Sequence, residues 1–139
     1  MLDEKEYLRW LSSAKNALSS AIGDADRRDF NWACFKSQQA AEFAVKALLR
    51  GLGLPSYGHS LSRLLTEAEE NLGSIKPEII EAAKTLDKHY IPTRYPNAWV
   101  EGSPEEYYTK MDAEATIRYA KQIISWVEKK WKSLKKGES

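Results

Sequence analysis

The segment Gln38–Leu49, QQAAEFAVKALL, sets alanines beside Gln39, Glu42 and Lys46. The three polar residues recur at helical steps, so they share one ridge of an α-helix. Ala41, Ala44, Val45, Leu48 and Leu49 then form the apolar face. Upstream, Cys34 falls on that face, and downstream GLGLPSYG interrupts the pattern. Gly51 and Gly53 tolerate a left-handed cap, and Pro55 discourages continuation. One helix of about 35 Å over roughly residues 29–52 is predicted.

The same threes and fours appear on both sides of this helix. Tyr7, Leu11, Ala14, Leu18 and Ala21 predict a helix over about residues 3–22, with Gly23 suited to a stop. DADRRDF follows, where Asp26 or Asp29 is placed to cap the next helix. Ser60 is an N-cap candidate for LSRLLTEAEE, whose buried side is Leu61, Leu64, Leu65 and Ala68. Pro77 occupies the first-turn position of PEIIEAAKTLDKHY. Pro92 and Pro96 forbid a regular helix across IPTRYPNAWVEGSP, and Ser103 to Glu106 form a capping box for a short helical turn. A last helix begins near Thr109 or Asp112 and carries Ala113, Ala120, Ile124, Val127, Trp131 and Leu134 inward.

No stretch has the β-branched, period-two pattern of a strand. The fold class predicted is all-α: an antiparallel four-helix up-and-down bundle with an additional short helix. Residues 1–135 read as one domain, and residues 136–139 as a frayed tail. The alanines supply contact surface that lets helix axes approach.

Composition limits the chemistry. Twenty-one basic and twenty acidic residues leave a net charge of +1, so any anion site is local rather than a global field. With two histidines and one cysteine, the chain argues against a Cys/His zinc site. No phosphate-binding glycine loop occurs, and no Glu-x-x-His pair for a di-iron centre. No metal and no cofactor are expected. Cys34 reads as a buried, inert thiol. MLDEKEYLRW lacks a signal-peptide pattern and no apolar run is long enough for a bilayer, so a cytoplasmic protein without membrane contact is expected.

Three groups carry possible chemistry. The ridge of Gln39, Glu42, Lys46 and Arg50 reads either as a solvated face with one ion pair or as a face that meets a ligand or another chain. His59 and Ser60 precede a helix N-terminus whose free N–H groups, with Arg50 and Arg63 nearby, suit an anion. Tyr90, Arg94 and Tyr95 set a guanidinium among rings, an arrangement that binds phosphate, stacks on bases, or pins a loop.

FNWACFKSQQAAEFAVKALLRGLG, GHSLSRLL, HYIPTRYPNAW and DAEATIRYAKQIISWVEK together resemble the HEPN domain, over nearly the whole chain. The resemblance implies a bundle of four main helices, often dimeric. Many prokaryotic members work with a minimal nucleotidyltransferase in toxin–antitoxin-like pairs, and others are ribonucleases. It carries over a ligand site at Gln39, Glu42, Lys46, His59, Ser60, Tyr90, Arg94 and Tyr95. Ribonuclease members place an arginine four to six residues before a histidine, whereas eight residues separate Arg50 from His59 here. The expected function is a non-catalytic nucleotide- or RNA-binding and protein-interaction module, a homodimer with a nucleotidyltransferase partner. The alternatives are a metal-independent endoribonuclease using His59 with Arg50, Arg63 or Arg94, and a purely structural helical oligomer. The binding reading expects His59 and the 90–95 loop to converge beside the charged edge of the second helix.

Overall fold

The structure, a computed structural model, describes residues 1–138. Six α-helices follow one another: α1 (Glu4–Asp26), α2 (Phe30–Gly51), α3 (Leu61–Leu72), α4 (Pro77–Asp87), the single turn α5 (Pro104–Tyr107) and α6 (Lys110–Glu138). A 3-10 turn at Pro96–Ala98 lies in the loop between α4 and α5. No strand occurs among the described residues.

Side-chain pairs fix the helix directions. Trp10 meets Phe43, and Lys36 reaches back to Asp24, so α1 and α2 are antiparallel. Tyr7 stacks on Trp131 and Lys15 pairs with Glu128, so α1 and α6 are antiparallel too. Thr116 donates to Cys34, while Gly51 abuts Trp131, so α2 and α6 run parallel. Helices α3 and α4 run antiparallel to each other, the last residue of α4, Asp87, meeting the first turn of α3, and they complete the all-α bundle.

Helix α2 is the centre and touches every other helix. Its alanines at 33, 40, 41, 44 and 47 are completely buried. Small side chains on several faces let neighbours approach from several directions at once. The apolar core joins them to Leu48, Leu61, Leu65, Leu86, Ile123 and Val127.

Helix α1 corrects the expected stop at Gly23 by continuing to Asp26. A glycine inside a helix costs about 1 kcal/mol, but the extra turn buries Asp24 against Lys36 Nζ at 2.8 Å and the Arg27 guanidinium. The chain then reverses through Arg28, the one non-glycine residue with positive φ among the described residues (67°). Helix α4 ends at Asp87, before the HY of its expected span. At the other terminus, α6 is helical through Glu138; Ser139, the end of the expected frayed tail, lies outside the described residues. No helix of the described residues is long and apolar enough to cross a membrane.

Candidate functional site

The polar ridge of α2 is not a solvated face. Glu42 is 2% exposed and Lys46 is 9% exposed. A carboxylate that deep needs donors on its lone pairs. Lys46 Nζ lies 3.2 Å from one oxygen, and Gln38 Nε2 donates to the other at 3.2 Å. His59 Nδ1 sits 3.2 Å from both. Gln39 is drawn in as well, donating to Gln38 Oε1 at 2.7 Å and to Glu42 at 3.5 Å. Helical spacing brings Gln38, Glu42 and Lys46 into line, and the tertiary fold brings His59 to them.

His59 is held at three points. Its Nδ1 faces Glu42, its carbonyl accepts from Gln38 Nε2 at 3.2 Å, and its ring stacks on Tyr90 at 4.6 Å and 17°. Its side chain nevertheless remains 56% exposed. With Nδ1 committed to a carboxylate, Nε2 is the nitrogen left for a ligand or a proton.

Tyr90 is also where Arg94 is fixed. Arg94 Nε and Nη2 both donate to the Tyr90 carbonyl, at 3.0 and 2.7 Å. The guanidinium carbon lies 4.2 Å from the Phe35 ring centre, 4.7 Å from Tyr90 and 5.0 Å from Tyr95. Its partners are a carbonyl and three rings, so its charge is not neutralised there, and further N–H groups of its five remain to bind an anion. The loop beneath is rigid. Asn31 Nδ2 donates to the buried Thr93 carbonyl, Thr93 Oγ1 to His89, and Trp99 Nε1 to Pro92. Glu42, Lys46, His59, Tyr90 and Arg94 therefore form one connected cluster, with Tyr95 at its half-exposed edge.

Ser60 and the expected anion position belong to a different arrangement. Ser60 caps α3 by accepting from Arg63 N, and its hydroxyl donates to Asp87 Oδ2 at 3.2 Å. Asp87 also accepts from Leu61 N at 2.7 Å and from Ser62 N at 3.0 Å. The helix N-terminus thus holds an anion from its own chain, the last residue of α4. The two arginines expected near His59 have partners elsewhere. Arg50 pairs with Glu6 at 3.2 Å and lies 4.4 Å over Trp10 of α1. Arg63 is exposed, 3.9 Å from Glu67 on its own helix.

Sequence reasoning passed over Gln38, Phe35 and Asp87. Gln38 is one step off the ridge, and only its complete burial reveals its role. Phe35 lies four residues before Gln39, on the polar ridge rather than the apolar face, and one face of its ring carries a cation. Asp87 sits at the C-terminal end of a helix, where a carboxylate is disfavoured by the helix dipole; that local misfit was its signal.

A second polar cluster lies around Cys34. Burial pushes its thiol up to about 12, against a smaller lowering by the Thr116 hydroxyl. His89 Nδ1 lies 3.1 Å from the Tyr108 hydroxyl; burial lowers the His89 pKa, and Asp112 opposes this in part. These groups lock the loop to α2 and α6, and the un-ionised thiol is unsuited to nucleophilic chemistry.

Comparison with known proteins bears on this geometry. The family model for the HEPN domain matches residues 7–130. The crystal structure of TT1696 from Thermus thermophilus is similar with a TM-score of 0.86 and 41% identity, over 89% of this chain and 97% of that one. ST0689, an archaeal HEPN homologue, gives 0.75 and 39% identity, over 88% and 94%. The HEPN domain protein TM0613 from Thermotoga maritima gives 0.71 and 36%, over 87% and 95%. No curated protein matches the chain. The sequence match across most of the bundle, together with these three structures, establishes that the chain belongs to the HEPN domain family.

Proposed function

We propose that this protein is a non-catalytic HEPN-type module that binds a nucleotide or an RNA phosphate and base at the His59–Tyr90–Arg94 cluster. In this reading it acts as a homodimer with a minimal nucleotidyltransferase partner, as in toxin–antitoxin-like pairs. The carrying observation is that a half-exposed imidazole and an un-neutralised guanidinium share one tyrosine ring. Such a set offers a stacking face and a phosphate donor side by side. Lys46 contributes less charge than its type suggests, because Glu42 answers it. Titration with ATP, GTP and a short single-stranded RNA tests the ligand. Binding should fall in Arg94→Ala by about 1.5–3 kcal/mol, the worth of a charge-assisted hydrogen bond. No binding of any of the three at millimolar concentration removes the proposal. Co-purification with a nucleotidyltransferase encoded beside it tests the partner.

One observation favours a second reading, a metal-independent endoribonuclease. The Glu42–His59 contact orients the imidazole as a carboxylate orients a general base. Arg94, rather than Arg50 or Arg63, is the cation on the same tyrosine. This reading expects RNA cleavage in EDTA with 2′,3′-cyclic phosphate ends, lost in His59→Ala. Equal cleavage by that variant excludes it.

A further inference from the structure

Ring stacking and ion pairs join α1 to α6 over the first half of α1. There Tyr7 stacks on Trp131 at 4.0 Å, and Glu4 pairs with Lys135 and Lys15 with Glu128. Toward the other end a groove of about 380 Å³ opens between them. Its floor is apolar: Ile22 and Ala25 of α1, Phe30 of α2, Ala113 and Ile117 of α6. It shares no residue with the His59–Tyr90 cluster.

The rims differ in charge. Lys110, Arg118 and Lys121 lie on the α6 wall, with the acid Glu114 on the turn between the first two. Glu114 answers only Lys110, at 3.8 Å, and both are exposed. The nearest partner of Arg118 is the ring of Tyr119, 5.6 Å away, which does not neutralise it. Arg28 adds a fourth cation at the end of the groove, its guanidinium 5.2 Å above the Phe30 ring. Asp26 is the acid of the α1 wall.

An apolar floor between two helices is the shape into which an amphipathic helix fits, with anchors at every third or fourth residue. The surplus positive charge lies along one wall, so the complementary helix carries acids along the edge facing α6. We propose that this groove docks an amphipathic helix of a partner protein, apolar on one face and acidic along one edge. It would lie between α1 and α6 as a fifth long element. This surface goes beyond the ligand reading above and stands without it.

The probe is a synthetic peptide of about four helical turns, with leucines at helical spacing flanked by glutamates. Its control carries lysine in place of every glutamate. NMR titration of the full chain should give amide shifts centred on Ile22, Ala25, Phe30 and Ile117 with the acidic peptide. The exposed-residue variant R118E/K121E should weaken that binding about tenfold and strengthen binding of the lysine peptide. Ile22→Asp, in the apolar floor on the α1 side, should also lower affinity for the acidic peptide. Equal binding of both peptides, no binding at millimolar concentration, or shifts away from the groove overturns the proposal. So does dodecanoate filling the groove while the acidic peptide does not, which would mark a small-anion site instead.

Discussion

The His59 imidazole lies nearly parallel to the Tyr90 ring, 4.6 Å from it, although the two residues come from opposite sides of the α3–α4 pair. One precedes α3 and the other follows α4. Asp87 closes the distance by tying the end of α4 to the start of α3 through the backbone N–H groups of Leu61 and Ser62. The candidate site is thus assembled by a capping interaction between two short helices, beside a long one that supplies Glu42 and Lys46.

Tyr90→Ala should remove both the stack on His59 and one bed of Arg94. An aromatic pair is worth about 0.5–1.5 kcal/mol beyond its buried area, so nucleotide or RNA affinity should fall severalfold while the fold survives. The His59 ring protons should move downfield as the tyrosine ring current is lost. Tyr90→Phe should leave both readouts close to the parent. Unchanged ring shifts in the alanine variant would mean that the stack is absent in solution.

Glu42→Ala leaves Lys46 buried without its carboxylate and takes from Gln38 one of its two acceptors, the His59 carbonyl remaining. Breaking one side of a buried ion pair costs about 3–5 kcal/mol, which urea unfolding would register as a large fall in midpoint. Adding Lys46→Met to the same chain should recover much of that loss, because the stranded charge is gone. A double variant as unstable as the single one would show that Lys46 does not depend on Glu42.

Gly51→Ala tests the close approach of α2 to α6 and α1. A methyl group there would meet Trp131 Cη2 at 2.7 Å and Tyr7 Cβ at 3.1 Å. The ring is stacked on Tyr7 and cannot turn away freely. The usual gain from replacing a helical glycine is therefore outweighed, and a net destabilisation of about 1–3 kcal/mol is expected. Trp131→Leu combined with Gly51→Ala should cost less than the two changes added separately.

Stability should fall at both ends of the pH range. Burial lowers the His89 pKa below its ordinary 6.5, so the unfolded chain takes up the proton first. The stabilisation is present above about pH 6.5 and is lost as pH falls through the folded value. At the alkaline end, burial raises Cys34 from 9.0 and Tyr7 from 10.0, each to about 12. Stability should decline from about pH 9 upward as the unfolded thiol ionises. Urea melts across pH, repeated with His89→Asn and Cys34→Ala, should make the acid limb shallower and move the onset of the alkaline limb from about pH 9 toward about pH 10, where Tyr7 takes over. In the native state, Cys34 should react with a thiol reagent only at the rate of opening.

Much of this fold was legible in the residues alone. The Ser60 cap, the proline that opens α4 and the Ser103–Glu106 box follow from side-chain chemistry within a few residues, and all three appear in the fold. Helix α2 starts directly after Asp29, but the side-chain cap expected from Asp26 or Asp29 is not made. The end of α1 was not legible, because Asp24 finds Lys36 only once α2 has folded back. The pairing of Arg50 with Glu6 was hidden for the same reason: forty-four positions separate them.

By itself the sequence determined an all-helical bundle, its punctuation and the residue types available for a site, since periodicity and capping act over one or two turns. Only the tertiary structure decided which of those residues meet. It turned Glu42 inward, gave the α3 N-terminus to Asp87, sent Arg50 to α1 and laid His59 on Tyr90. Those choices depend on how helices pack across the bundle, where a buried charge must find its partner or remain in water.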